Sequence, residues 1–193
     1  MHTATFNLYS FSELSSAAQE RAIARYREQG LENNLFDDQF LLQEFRDRLG
    51  AIGIDNITFR YTGFSNQGDG LSFMAQVGDI PHFLTSIGYT TSPDPDLNRT
   101  MDITFWPIDT RYKHERTVDT LIDLNDTAVP HGTLYHAIEA WRIETCREMY
   151  RELSALYEES TGDAAIGLEL EELGEVYLDR GVLLVDHVGL LYS

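Results

Sequence analysis

Lysine is almost missing from this chain of 193 residues: Lys113 is the only one, and nearly all positive charge is arginine. Fourteen basic residues stand against thirty-two acidic ones, a formal charge of −18. A surplus of that sign repels nucleic-acid phosphates and anionic lipid, which argues against direct DNA or RNA binding and against a membrane surface as partner. Cysteine is equally scarce. Cys146 stands alone, which excludes an internal disulfide framework and a cysteine-ligated metal centre, and it suits a reducing cytoplasm. No run of eighteen apolar residues occurs, and Met1-His2-Thr3-Ala4-Thr5 lacks a basic stretch leading into an apolar one, so neither a spanning segment nor a secretory leader is expected. Proline numbers five, two of them in Ser92-Pro93-Asp94-Pro95-Asp96, where removed donors and restricted neighbours predict an exposed loop.

What is present is enough for one core: 42% of the residues are hydrophobic and 11% aromatic. With no linker, repeat or low-complexity segment, the length predicts a single domain over residues 1–193. The most informative stretch is Gly63-Phe64-Ser65-Asn66-Gln67-Gly68-Asp69-Gly70. Before it Ile57, Phe59 and Tyr61 alternate with Thr58, Arg60 and Thr62; after it Leu71, Phe73, Ala75 and Val77 alternate with Ser72, Met74 and Gln76. Two alternating runs joined this way predict a hairpin with an ornate loop, in which glycine supplies the positive φ that other residues resist. Met101–Trp106 and Arg111–Leu121 read as two further strands of an antiparallel meander, and Val176–Val185 as a last hairpin that extends or covers the sheet.

The helices follow from 3.6-residue periodicity. Leu14, Ala18, Ala22 and Tyr26 mark the first, capped at Ser15 or Ser16, with Ser16 and Gln19 at capping-box spacing and Gly30 as its stop. Phe36, Phe40, Phe45, Leu49 and Ile52 form the apolar stripe expected of a second, and Gly78–Leu84 a short helical turn. Leu134, Ile138, Trp141, Met149, Leu153 and Leu156 mark the longest, over about His131–Glu159. A shorter helix follows Gly162-Asp163, with Ile166, Leu170 and Leu173 as its buried edge. The expectation is an α+β fold: an antiparallel sheet of four or more strands packed against several helices.

The chemistry-bearing residues give no catalytic constellation. The Gly63–Gly70 loop leads into a strand and carries an acid, whereas a phosphate cradle leads into a helix N-terminus. Asp69 with Asn66 and Gln67 lacks the ordered ligand spacing of a calcium loop, which leaves a turn-capping role. His131 and His136 are five apart, not the four that places two zinc ligands on one helix face. Asp109, Arg111, His114, Glu115 and Arg116 form the best acid-base candidate, with cross-paired strand charges as the plainer alternative. Cys146 sits mid-helix without an activating neighbour. No enzyme activity, metal or cofactor is expected.

Charge is also uneven. Residues 1–116 carry 16 acids and 10 bases, net −6, whereas residues 117–193 carry 16 acids and 4 bases, net −12. The C-terminal part is the acidic pole, with Glu169, Glu171, Glu172 and Glu175 as its densest run.

Three blocks together resemble a family of small phage- and prophage-encoded proteins labelled antitoxin-like: Leu8-Tyr9-Ser10-Phe11-Ser12-Glu13-Leu14-Ser15 with Ala18-Gln19-Glu20-Arg21-Ala22-Ile23, the Gly63–Gly70 block, and Gly162-Asp163-Ala164-Ala165-Ile166 through Arg180-Gly181. The resemblance spans most of the chain, and the Gly63–Gly70 block is its most specific part. The Asp94–Asn98 loop departs from the pattern, so partner specificity is not carried over. The resemblance implies a phage accessory protein of the host cytoplasm without enzyme activity. Combined with the charge, it leads to the expectation of an acidic protein that blocks a bacterial defence complex, as an anti-CRISPR does, by occupying a basic nucleic-acid-binding surface. Glu169, Glu171, Glu172, Glu175 and Asp69 are then the expected partner contacts. The alternatives are an enzyme or ligand-binding protein with its site at the Gly63–Gly70 loop, helped by Arg60 and His114, and an antitoxin that neutralises a toxin.

Overall fold

The computed structural model describes residues 5–89, 101–108, 112–124, 127–128 and 132–184. Met1–Ala4, the proline loop at Ser92–Asp96, the Asp94–Asn98 departure, Asp109, Arg111, His131 and the Val185 end of the last hairpin lie outside them. The described helices are α1 (Ser16–Glu28), α2 (Gln39–Gly50), α3 (Ile80–Ser86), α4 (Thr133–Ser160) and α5 (Asp163–Glu172). The strands are β1 (Ile54–Thr62), β2 (Gly70–Val77), β3 (Met101–Pro107), β4 (Val118–Leu124) and the two-residue β5 (Thr127–Ala128). They form one antiparallel sheet in the order β1-β2-β3-β4-β5. The fold is α+β with a single antiparallel sheet, as the periodicities require. None of the described helices is long and apolar enough to cross a membrane.

Length led to the expectation of one domain; the contacts group into two compact units, one of Met1–Asp37 with Leu156–Ser193, the other of Asp38–Ala155. No composition shift marks either crossing point.

The Asp38–Ala155 unit holds the sheet. Successive side chains of a strand point to opposite faces, so Leu71, Phe73, Ala75 and Val77 of β2 share a face with Ile103 and Phe105 of β3 and with Val118 and Ile122 of β4. All of these are buried. Phe73 is the hub, with ring centroids 5.5 Å from Phe105 and 6.3 Å from both Phe59 and Trp141, all edge-on. Phe83 of α3 meets Trp141 at 5.0 Å, and Phe45 and Leu49 of α2 are buried. Asp79 caps α3, its carboxylate accepting from the His82 N–H at 3.1 Å. The pairing of β1 with β2 shifts register between Asp55 and Thr58, where Asn56 adopts φ 56°. Asparagine tolerates that left-handed conformation, and a bulge on an edge strand discourages pairing with another chain.

Two sequence expectations are corrected here. Phe40 is 83% exposed, not part of the stripe; it stands five residues before Phe45, roughly 140° away around a helix of 3.6 residues per turn. The strand expected from Arg111 begins only at Val118. Its described preceding residues run through a 3-10 turn at Glu115–Thr117 that His114 caps, its ring nitrogen accepting from the Arg116 N–H.

The other unit is built on α1, α5 and two 3-10 turns, Phe11–Glu13 and Leu31–Leu35. Phe11, Leu14, Ala18, Ala22, Tyr26, Ile166, Leu170 and Tyr177 form its buried cluster. Ser15 takes the N-cap of α1, while the Gln19 amide donates to the Phe11 carbonyl at 3.1 Å in place of the expected capping box. Gly30, at φ 69°, follows the helix end. The C-terminal hairpin forms, with Tyr177 bridged to Leu183, but its other bridge runs to Tyr9 within this unit. Among the described residues it adds no strand to the sheet, and its bridge partner outside the hairpin is Tyr9. Leu173 is 52% exposed, beyond the buried edge that Ile166 and Leu170 complete.

Candidate functional site

The Gly63–Gly70 corner is held by its own acid. The Asp69 carboxylate accepts from the backbone N–H groups of Ser65 and Asn66, at 3.0 and 2.6 Å. A Cβ on Gly63 would come within 2.6 Å of that carboxylate, and Gly63 also has φ 28°, so glycine is required twice over. From α4, the Tyr150 hydroxyl donates to the Gly63 carbonyl at 2.9 Å, and its ring stacks on Phe64 with centroids 5.9 Å apart. Burial, then the Asp69 charge, raises the Tyr150 pKa, which keeps that hydroxyl protonated as a donor. Asp69 is thus turned onto its own loop.

His114 adjoins this corner: a Cβ on Gly70 would lie 2.6 Å from the His114 Cβ. Its Nδ1 accepts from the Arg116 N–H and lies 4.0 Å from a Glu115 carboxylate oxygen. Glu115 in turn accepts from Arg147 Nε at 3.2 Å. Arg60 stands opposite Ser72, two residues along β2 from Gly70. Five clefts formed by the described residues are lined by other side chains, without Asp69 or His114. A concave pocket holding both is the geometry that a ligand site at this loop needs. Among the described residues, no group of three or more histidine, cysteine or acidic side chains is placed to hold a metal.

Beneath this corner lies a buried network that sequence reasoning missed. Arg142 of α4 is fully buried; its guanidinium grips Glu139 through Nε at 3.2 Å and Nη2 at 2.6 Å, and donates through Nη1 to the Glu115 carbonyl at 2.6 Å. The Thr120 hydroxyl donates to the same Glu139 carboxylate at 2.7 Å, and the Tyr135 hydroxyl to Asp119 at 2.8 Å. Burial, followed by the hydrogen bond to Asp119, pushes the Tyr135 pKa up to about 12. The network ties α4 to β4 and to the turn that carries His114. A signal existed: Arg142 falls four residues after Ile138 and four before Cys146, both buried, on the inward row of the helix. Cys146 is inert, since burial pushes its thiol up to about 12 despite the nearby Arg142 charge.

In the other unit, the four C-terminal glutamates do not form one free row. Glu171 accepts from the Ser12 N–H at 2.8 Å and its hydroxyl at 2.9 Å, holding the Phe11–Glu13 turn. Glu175 accepts from the Tyr177 hydroxyl at 3.0 Å. Glu169 is half-buried, and Glu172 is exposed. Leu168, Leu173 and Val176 are exposed among them, so the surface mixes carboxylates with apolar side chains, as interaction surfaces do. No protein-family model, no curated protein and no solved structure matches the chain.

Proposed function

We propose that this is an acidic interaction protein, phage-encoded and anti-CRISPR-like, that inhibits a bacterial defence complex by occupying a basic surface made for nucleic acid. The observation that carries the reading is the charge: −18 in all, −12 of it in residues 117–193. A field of that sign raises the rate of encounter with a basic groove, and the leucines exposed beside Glu172 supply apolar contact once the charges have steered the approach. Of the expected contacts, Glu172 has the fewest internal duties; Glu171 and Glu175 add charge while also holding Ser12 and Tyr177. Asp69 contributes charge at the hairpin corner rather than a free carboxylate.

Affinity capture from a bacterial host lysate tests this. With the full chain as bait at low salt, a nucleic-acid-handling protein complex is expected to be retained, and to elute as ionic strength passes the range where surface charges are screened. Changing Glu169, Glu171, Glu172 and Glu175 together to glutamine is expected to weaken retention by about tenfold or more, equivalent to about 1.4 kcal/mol. Glu172→Gln alone, at an exposed position, gives a smaller loss without disturbing the fold. Retention of no such protein, or retention indifferent to both variants, would overturn the proposal.

A further inference from the structure

We infer that the open face of β3 and β4 is a docking surface for a basic, apolar-bearing segment of a partner protein. The inference rests on the reading of the chain as a binder of basic partners and places a contact surface in the sheet unit. Ile103 pairs with Ile122 and Phe105 with Thr120 on the buried face, so the pairs between them face the other way. These are Asp102 with Asp123, Thr104 with Leu121 and Trp106 with Asp119, the last of which has its carboxylate held by the Tyr135 hydroxyl. Trp106 is 66% exposed and Leu121 47%, and Ile108, just past the strand, is also open. Large apolar side chains held in water on adjacent strands are a feature that a partner relieves.

Charge complementarity decides what that partner carries. Asp102 and Asp123 are directly opposed, and like charges across an antiparallel pair destabilise the sheet. Neither strand contains a lysine or arginine to offset them. The Cβ atoms of a directly opposed pair lie about 5 Å apart, close enough for one guanidinium to bridge both carboxylates. One row along, about 7 Å away, Leu121 offers an apolar contact, and Trp106 lies one row beyond it. An arginine followed by an apolar side chain therefore fits the surface. Nucleic acid and anionic lipid are repelled by the aspartates. A second copy of this chain brings the same carboxylates, and its own β3 and β4 carry no lysine or arginine to pair with them, so two such strand pairs repel one another.

The test is a titration of the full-length, isotope-labelled chain with a short synthetic peptide alternating arginine and leucine, followed by NMR at low salt. The largest amide shifts are expected at residues 102–106 and 119–123. The double variant Asp102→Asn/Asp123→Asn is expected to weaken peptide binding about tenfold while leaving the melting temperature unchanged or raised, since it removes a repulsion. Trp106→Ala, at an exposed position, is expected to weaken binding with the fold intact. Shifts centred on α5, binding indifferent to the aspartates, or no binding at all would each overturn the assignment of this face. Lysate capture separates the two claims. Retention that survives in the double aspartate variant removes the face and leaves the interaction reading; peptide bound at this face with no host protein retained leaves the face and removes the inhibitor.

Discussion

Glu139→Gln is expected to destabilise the sheet unit by about 3 kcal/mol, near the lower end of the range for breaking one side of a buried ion pair. Arg142 has no exposed side-chain surface, and two of its three hydrogen-bonding nitrogens are satisfied by the Glu139 carboxylate. Glutamine keeps the shape and one acceptor but removes the charge, leaving a buried guanidinium held chiefly by the Glu115 carbonyl. The value falls at the lower end because Glu139 is itself 23% exposed, so water relaxes part of the change. Arg142→Met is expected to cost less, about 1–2 kcal/mol, because it removes the buried charge and leaves the partly exposed carboxylate to water. Both tryptophans, Trp106 and Trp141, lie in this unit, so urea unfolding followed by tryptophan fluorescence reports on it. The expected order of midpoints is wild type, then Arg142→Met, then Glu139→Gln. The reverse order of the two variants would mean that the arginine's packing, not its charge, holds α4 to the sheet.

Phe73→Ala carries the other large effect, a loss of about 3–5 kcal/mol, typical of a fully buried phenylalanine cut to alanine. Phe73 is completely buried at the middle of β2 and meets Phe59, Phe105 and Trp141 edge-on, so the truncation removes three ring pairs as well as apolar area. The strands and helices around it are set by their own hydrogen bonds and collapse only partly into the space. Phe73→Leu is expected to lose less than half as much. The same urea titration checks both. An alanine variant within about 1 kcal/mol of wild type would show that the aromatic cluster is not the core of this unit.

Much of this fold was legible because its signals are local. The two alternating runs around Gly63–Gly70 became β1 and β2, and the four-residue spacing of Leu14, Ala18, Ala22 and Tyr26 became the buried face of α1. The misreadings have physical causes. Phe40 was placed in a stripe by its chemistry, though five-residue spacing turns it to solvent. The segment before Val118 reads as part of the strand, but His114 caps a 3-10 turn there, at Glu115–Thr117. Arg142 reads as a solvated charge on an amphipathic helix, since the Glu115 carbonyl it reaches, and the Thr120 hydroxyl that shares Glu139 with it, come from a turn and a strand far from it in sequence. The acidic run was legible as charge only. That Glu171 serves Ser12, 159 positions away, is a tertiary fact that no local spacing encodes. The Asp69 carboxylate was the opposite case, because the glycines around it already pointed to a capped turn.

Inhibition is measured most directly by mobility shift, with a purified RNA-guided defence complex bound to its target DNA at low salt and this chain added in increasing excess. DNA is expected to be displaced. The effect should fade as salt rises and weaken when Glu169, Glu171, Glu172 and Glu175 are changed to glutamine. DNA binding that stays unchanged at every excess of the protein would contradict the reading.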